Sequence, residues 1–359
     1  MKIMVFDVAA ESSGALSVLN DFYQEARDIN RQEITWYFIV SKPTHLIDTK
    51  QIKVLRFPWV KKSWFHRLFF DYVVASRLVK RLRADKVLSL QNVVVPFTKV
   101  YQIVYIHNSL PFVDYRYRFR ENKLLWVYQN LIGRNIISSI KKADKVIAQT
   151  FWMKKAFVKK ARVNQEKIEV CSPKVVVPHL ADYHESEESK KIFFYPATGM
   201  DFKNHRLIME ACKLLKNRGV EDYNVILTLE KDESDYIAEL FQEAKDYNLP
   251  IQFVGRLKRE EVLLQYAKSV LLFPSFIESY PFPLLEAKTL KCFIIASDTS
   301  FSQEILAEYK NAYFFDAFSA STLASILRKF IKGEISYIDD SGENSDLNTS
   351  RSLIDLLVS

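Results

Sequence analysis

Glycine is scarce in this sequence, with seven residues in 359. They form neither G-x-G-x-x-G nor G-x-x-x-x-G-K-[ST], which removes a dinucleotide fingerprint and a Walker-type phosphate loop. The cysteines, Cys171, Cys212 and Cys292, are odd in number, far apart and without a C-x-x-C spacing. Neither a disulfide framework nor a zinc site is indicated, and buried reduced thiols are expected. No apolar run approaches bilayer-spanning length, and the start, MKIMVFDVAAESSG, is broken by Asp7 and Glu11 before a signal-peptide core could form. A cytoplasmic protein is expected.

What is present describes an ordinary globular chain, 48% hydrophobic and 26% charged, long enough for two domains. Its net charge of +8 is unevenly spread. Residues 1–176 hold 31 Lys and Arg against 14 Asp and Glu, or +17, while the remainder holds 20 against 29, or −9. A basic first half suggests an anionic surface or polymer as partner, although a merely solvated charged surface would look the same.

Two stretches share one grammar. In the first, KIMVFDV, ITWYFIV, KVLSL, YQIVYIH and KVIAQ read as strands, and SGALSVLNDFYQEA, FHRLFFDYVVASRLVKRLR and ENKLLWVYQNLIGRNIISSIKK as helices. In the second, KIFFYPA, NVILTLE, IQFVG, SVLLFPS and FIIAS alternate with NHRLIMEACKLLKNRG, SDYIAELFQEAKDY, EEVLLQYAK and TLASILRKFIKG. Such alternation predicts an α/β protein with two Rossmann-like, doubly wound domains. The expected division is 1–177, a polar acidic linker at 178–190, a second domain at 191–334, and a loop and short helix at 335–359. Gly219 and Gly333 follow helices and read as C-caps. Gly14, Gly199 and Gly255 each follow a strand, where the backbone must turn sharply or approach a ligand.

The segment FPSFIESYPFPLLEAKTL carries two carboxylates, Glu278 and Glu286, around an apolar run with Pro281 and Pro283. A continuous helix would set them about 12 Å apart and roughly 80° around the axis. The prolines forbid that helix except in its first turn. The reading is a strand at 270–276, a tight loop at 277–280 holding Glu278, and a helix from 281 or 283 to 291 with Glu286 in its first turns. Both carboxylates then lie beyond the end of a strand, near a helix N-terminus, where open α/β sheets bind ligands.

The residues from Ile251 to Leu306 resemble the donor-binding domain of the retaining GT-B glycosyltransferases of the large family 4 type. The resemblance rests on Glu278, seven residues and Glu286, then a strand and Glu304-Ile305-Leu306. Upstream, ATGMDFKNHRLIMEACKLL is similar to the family's diphosphate segment, with Lys203 before a helix. The first half matches loosely, through Ser12 to Gly14 and the histidine in VYIHNS, and YIHNSLPFVDYRYRF resembles enzymes of capsule and exopolysaccharide synthesis. The implied fold is GT-B, its two domains facing a cleft, the first for acceptor and the second for donor.

By this resemblance Glu278 contacts the donor sugar and Glu286 the ribose, each offering two oxygens to paired hydroxyls. The implied diphosphate and nucleotide contacts are Gly14, Gly199, Lys203, Asn204, Gly255, Arg256, Ser279, Tyr280, Phe282 and Leu284, with His205 as a further candidate cation. His107 would reach donor or acceptor. Pro281 stands where glycine is usual, and Thr198-Gly199-Met200 where an arginine is common. No Asp-x-Asp occurs, so a metal-bound diphosphate is not expected, and Lys203 with helix dipoles would neutralise the leaving group. A first-turn carboxylate favoured by the helix dipole would also explain Glu286 alone.

The expected activity is metal-independent, retaining transfer of a hexose-type sugar from a nucleotide sugar in bacterial surface polysaccharide synthesis, with no cofactor. The acceptor would be a glycan or polyprenyl-linked glycan, and nucleic acid is not expected as a partner. A GT-B sugar-nucleotide epimerase, or a non-catalytic basic protein of the same fold, are the alternatives. FPWVKKSWFHRLFF and FWMKKAFVKKAR place Trp59, Trp64 and Trp152 near Lys61, Lys62, Arg67, Lys154 and Lys155. That composition suits a peripheral face on the anionic inner surface of the plasma membrane, or simply a core with solvated edges.

Overall fold

The computed structural model describes residues 1–10, 13–29, 33–42, 45–175, 177–178, 182–339 and 352–358. They form two compact units, Met1–Lys174 with Leu347–Ser359, and Val175–Asp346.

The first unit is built on seven strands: β1 (Lys2–Asp7), β2 (Thr35–Val40), β3 (Ile52–Arg56), β4 (Lys86–Ser89), β5 (Tyr101–Ile106), β6 (Lys145–Ala148) and β7 (Ile168–Val170). They pair in parallel in the order β3-β2-β1-β4-β5-β6-β7. The second unit has β8 (Ile192–Tyr195), β9 (Asn224–Leu227), β10 (Ile251–Phe253), β11 (Val270–Phe273), β12 (Ile294–Ser297) and β13 (Ala312–Phe315). Their order is β10-β9-β8-β11-β12-β13, again parallel. Central strands such as VLLF and IIAS are buried at every position, because helices cover both faces of a parallel sheet. The strands not foreseen, β3, β7 and β13, all lie at sheet edges. Each is short and only partly covered, so its apolar signal is diluted.

Two expected long helices contain an interruption. The segment expected at 65–83 runs as α-helix Trp64–Phe69, a π turn at Phe70–Val74 and α-helix Ala75–Leu82. The segment expected at 121–142 is likewise broken by a π turn at Tyr128–Ile132. A π turn inserts one extra residue, which rotates the following face without ending the helix.

Residues 182–190 of the stretch expected as a linker belong to the second unit; 179–181 lie outside the described residues. Tyr183 is buried beside Phe293 and Tyr337, each 5.7 Å away between ring centroids, and its hydroxyl shares a 2.9 Å hydrogen bond with Ser189. The terminal helix Leu353–Val358 packs on the first unit. Leu353, Ile354, Leu356 and Leu357 join a core with Leu19, Phe22 and Trp36, and Lys86 Nζ donates to the Leu357 carbonyl at 2.7 Å.

In each sheet the order reverses once, between β1 and β4 and between β8 and β11. At such a switch point the flanking loops leave in opposite directions, opening a crevice beyond the strands' carboxyl ends.

Candidate functional site

In the second unit, two loops flank the switch point. Beyond β8 the chain reaches a 3-10 turn at Asp201–Lys203; beyond β11 it passes through Ser275 to Glu278. The loops are stitched together. The Phe202 carbonyl accepts from the Phe276 N–H and the Ser275 hydroxyl, both at 3.1 Å, and the Tyr195 hydroxyl donates to the Lys203 carbonyl at 3.0 Å. Asn204, in the left-handed region (φ 62°), donates its side-chain amide to the carbonyls of Pro274 (3.2 Å) and Ala317 (2.8 Å). Asparagine tolerates that backbone better than most residues. The expected ligand contact Asn204 therefore has its amide committed to holding the loops.

The result is a close ion pair. Lys203 Nζ lies 2.5 Å from Glu278 Oε1, which also accepts from the Ser275 hydroxyl at 2.7 Å. Their side chains are only 17% and 13% exposed, so the pair is largely shielded from solvent. His205, considered as a second cation, is corrected by its surroundings. It is fully buried and neither ring nitrogen has a partner among the described residues. Burial, then the nearby Lys203 charge, lowers its pKa to about 3, so it stays neutral.

The helix after Glu278 spans Phe282–Thr289, with Pro281 at its N-cap and Pro283 in its first turn, where a missing N–H is harmless. Glu286 is its fifth residue, buried to 5% exposure. Its Oε1 lies 2.6 Å from Arg259 Nη1, and the Tyr266 hydroxyl lies 3.5 Å from Oε2. Burial raises the Glu286 pKa, and Arg259 opposes that rise. Arg259 was missed in the sequence, though it carried the same signal as Lys203, a cation opening a helix against the dipole. Ser279 and Tyr280 form a bend, and Tyr280 packs edge-on to Phe282 with centroids 5.3 Å apart. Phe282 and Leu284, implied as nucleotide contacts, lie in the first turn of this helix. They donate to the carbonyls of Tyr280 and Pro281, both at 3.1 Å, and the Leu284 side chain is core.

Gly199 and Gly255 have separate reasons. Gly199 admits the first turn of helix Asp235–Asp246, since a Cβ there would stand 2.4 Å from Ile237 Cδ1. Gly255 has a φ of +72°, and beside it the Arg256 N–H donates to Glu230 Oε1 at 3.2 Å.

In the first unit, His107 follows β5 directly. Asn92 Oδ1 accepts the N–H groups of His107 (2.8 Å) and Asn108 (3.1 Å), so its amide nitrogen is the group 3.1 Å from His107 Nε2. Nε2 then accepts, and the neutral ring carries its proton on Nδ1. That nitrogen is buried without a partner among the described residues. Burial lowers the His107 pKa to about 4. Gly14 lies in the first turn of helix Ser13–Asp28 and not in a loop; Ser12 lies outside the described residues.

The tryptophans also separate. Trp59 packs against Phe57, Phe69 and Phe70, and Trp152 lies against the core around Met153 and Phe157. Lys61 Nζ donates to the Ala9 carbonyl at 2.9 Å. Helix Trp64–Phe69 has no buried residue, with Trp64, Phe65, Leu68 and Phe69 exposed by 58, 75, 51 and 44%. The apolar face is therefore on this short helix rather than spread over all three tryptophans. No described helix is long and apolar enough to cross a membrane.

Residues 180–345, which hold both ion pairs, match the family model described as glycosyl transferases group 1. The match supports a glycosyltransferase. The O-antigen chain mannosyltransferase RfbU of Salmonella typhimurium is 23% identical over 275 residues, covering 75% of this chain and 70% of the relative. HepE of Anabaena, solved in complex with UDP, superposes with a TM-score of 0.66 at 16% identity over 93% of this chain and 91% of its own. Sucrose-phosphate synthase of Thermosynechococcus elongatus gives 0.68 at 13%, over 92% and 90%. The two-domain α/β fold of the glycosyltransferase is GT-B.

Proposed function

We propose that this glycosyltransferase moves a hexose-type sugar from a nucleoside diphosphate donor to a glycan or polyprenyl-linked glycan in bacterial surface polysaccharide synthesis, with retention and without a metal. The observation that carries the reading is the Lys203–Glu278 pair at the β8/β11 switch point. Each member has its own use once a donor arrives. The diphosphate takes the ammonium, and the freed carboxylate accepts from sugar hydroxyls. Glu286, held by Arg259, accepts from the ribose. Gly255 and Arg256 offer main chain to the base, and the bend at Ser279 and Tyr280 faces the diphosphate.

The bond from the anomeric carbon to the phosphate oxygen breaks, and its electron pair leaves with the diphosphate. Lys203 and the positive end of helix Phe282–Thr289 stabilise that charge. The acceptor oxygen bonds to the anomeric carbon on the same face, and its proton passes to the departing phosphate. No protein nucleophile is assigned. The His107 Nδ1–H donates to a sugar oxygen. The Salmonella relative's printed activity supports a hexose and a surface glycan, and the UDP bound to the Anabaena neighbour supports a nucleotide donor. A lipid-linked acceptor would be met at the inner membrane surface, to which the exposed helix Trp64–Phe69 of the basic first unit docks.

The test is transfer from a panel of nucleotide sugars to lipid-linked and free glycans in EDTA, with the product's anomeric configuration read by NMR. The expected product keeps the donor's configuration. An inverted product, or activity that chelation abolishes and magnesium or manganese restores, refutes the corresponding part of the mechanism.

A further inference from the structure

One helix, Arg259–Tyr266, supplies both partners of the buried Glu286 carboxylate. Arg259 is its first residue and Tyr266 its last, and seven positions of α-helix bring the two back to within about 20° of one another, on one face and two turns apart. That face meets both oxygens of the carboxylate. Arg259 Nη1 stands 2.6 Å from Oε1, whereas the Tyr266 hydroxyl stands 3.5 Å from Oε2, beyond the range of a strong hydrogen bond. Oε1 is committed, and Oε2 is held loosely. A cation in a helix's first turn opposes the dipole, so Arg259 is not placed there for the helix.

The Arg259 side chain is 54% exposed, but the carboxylate it meets is out of water. Burial raises the Glu286 pKa from its ordinary 4.5, with Arg259 the chief influence against the rise and the Tyr266 hydroxyl a smaller one. Other elements around Glu286 bring little that titrates. β11 and β12 are VLLF and IIAS; helix Ser300–Ile305 carries Glu304; and Lys288, on the helix of Glu286, donates to the Ile305 carbonyl at 2.9 Å. Tyr266 is fully buried, and burial followed by the Glu286 charge keeps its hydroxyl neutral. Arg259 is the cation that acts on Glu286.

We propose that Arg259 is a positioning residue of the nucleoside site: it keeps Glu286 ionised and pins Oε1, leaving Oε2 to accept from the ribose hydroxyls. An ionised carboxylate only accepts, whereas a protonated one turns a donor towards hydroxyls that are themselves donors. Arg259 acts through Glu286 and does not itself touch the ligand. The inference rests on the ribose role given to Glu286, and the two can fail separately.

Thermal unfolding from about pH 4 to 8 tests the ionisation without any ligand, comparing wild type, Arg259→Leu, Arg259→Lys, Glu286→Gln and the double variant Arg259→Leu, Glu286→Gln. Without Arg259 the folded carboxyl resists ionisation while the unfolded chain ionises, so the Tm deficit of Arg259→Leu should widen as pH rises from about 4.5. On the Glu286→Gln background that deficit should not vary with pH, and Arg259→Lys should restore most of the wild-type profile. Calorimetric affinity for UDP and GDP at two pH values, each variant divided by wild type so that the ligand's own titration cancels, tests the positioning. The loss in Arg259→Leu should be several-fold greater at the lower pH, about tenfold per pH unit being the ceiling for one proton. Parallel Tm profiles for wild type and Arg259→Leu overturn the inference, even where Glu286→Gln binds nucleotide weakly and the ribose reading stands. A loss equal at both pH values that persists on the Glu286→Gln background makes Arg259 a direct ligand contact and also overturns it. Diverging Tm profiles with wild-type nucleotide affinity in Glu286→Gln leave Arg259 as the group that ionises Glu286 and remove the ribose reading.

Discussion

The two switch points of this molecule handle polar groups in opposite ways. At β8/β11 the charged groups are paired, Lys203 with Glu278 and Arg259 with Glu286. At the carboxyl edge around β1/β4, buried polar atoms of Asp7, His107 and Gln149 have no partner among the described residues. The difference follows from charge. Full charges out of water cost several kcal/mol each unless compensated, so Lys203 and Arg259 are each held on a carboxylate. Groups that stay neutral can be left unpaired at a smaller cost. His107 is held neutral by burial, and burial lifts the Asp7 carboxyl to about 7.

The sharpest way to break the comparison is Lys203→Ala. Turnover should fall by about two orders of magnitude or more, because charge on the departing diphosphate loses its cation. Retention of near wild-type kcat would remove Lys203 from the mechanism and leave the pair as structural.

The carboxylates come next. Glu286→Ala should weaken UDP or GDP binding by roughly 1.5 to 3 kcal/mol, the worth of a charged hydrogen-bond partner. Glu278→Ala should slow transfer and leave the free diphosphate's affinity nearly intact. Calorimetry showing equal affinities for wild type and both variants would defeat the division of roles.

Titration separates the two units by sign. His205 has a folded pKa of about 3 against an ordinary 6.5, so as pH falls below 6.5 the unfolded state binds a proton the folded state refuses, and stability drops. The Tm gain of His205→Phe should grow steadily as pH falls from about 6.5 towards 3. Asp7 runs the other way, with a folded value of about 7 against 3.8. The unfolded chain ionises first, so this residue costs stability as pH rises from about 4 to 7. The Tm gain of Asp7→Asn should grow across that window and level off above it. Parallel pH profiles for wild type and either variant would show that the residue is not buried as described.

The smallest expected effect concerns the exposed helix Trp64–Phe69. The protein should co-sediment with vesicles containing anionic lipid, less so in high salt, and the double variant Trp64→Ser, Phe65→Ser should reduce this without lowering Tm. Equal binding to neutral and anionic vesicles, or to neither, would leave a soluble acceptor as the better partner.

Much of the second unit was legible because its signals are local. The run FPSFIESYPFPLLEAKTL fixes a strand, a loop and a helix through its own prolines and apolar residues, and the helix begins at Phe282, between the two starting points expected. Edge strands escaped because half their environment is solvent. His205 looked like a cation and is a neutral core residue, since its ionisation depends on burial that neighbouring elements create.

The sequence by itself determined the alternation of strands and helices, the two-unit α/β architecture and the loop position of Glu278. Each depends on contacts within a few residues or on period. Only tertiary structure decided which cation meets which carboxylate. Lys203 reaches Glu278 across 75 residues because the Phe202 carbonyl is held by Ser275 and Phe276. Tertiary structure also turned Asp7 from the end of an apolar strand into a buried carboxylate on a polar edge. Partner and protonation state depend on distances between strands far apart in the chain, and sequence spacing carries no record of them.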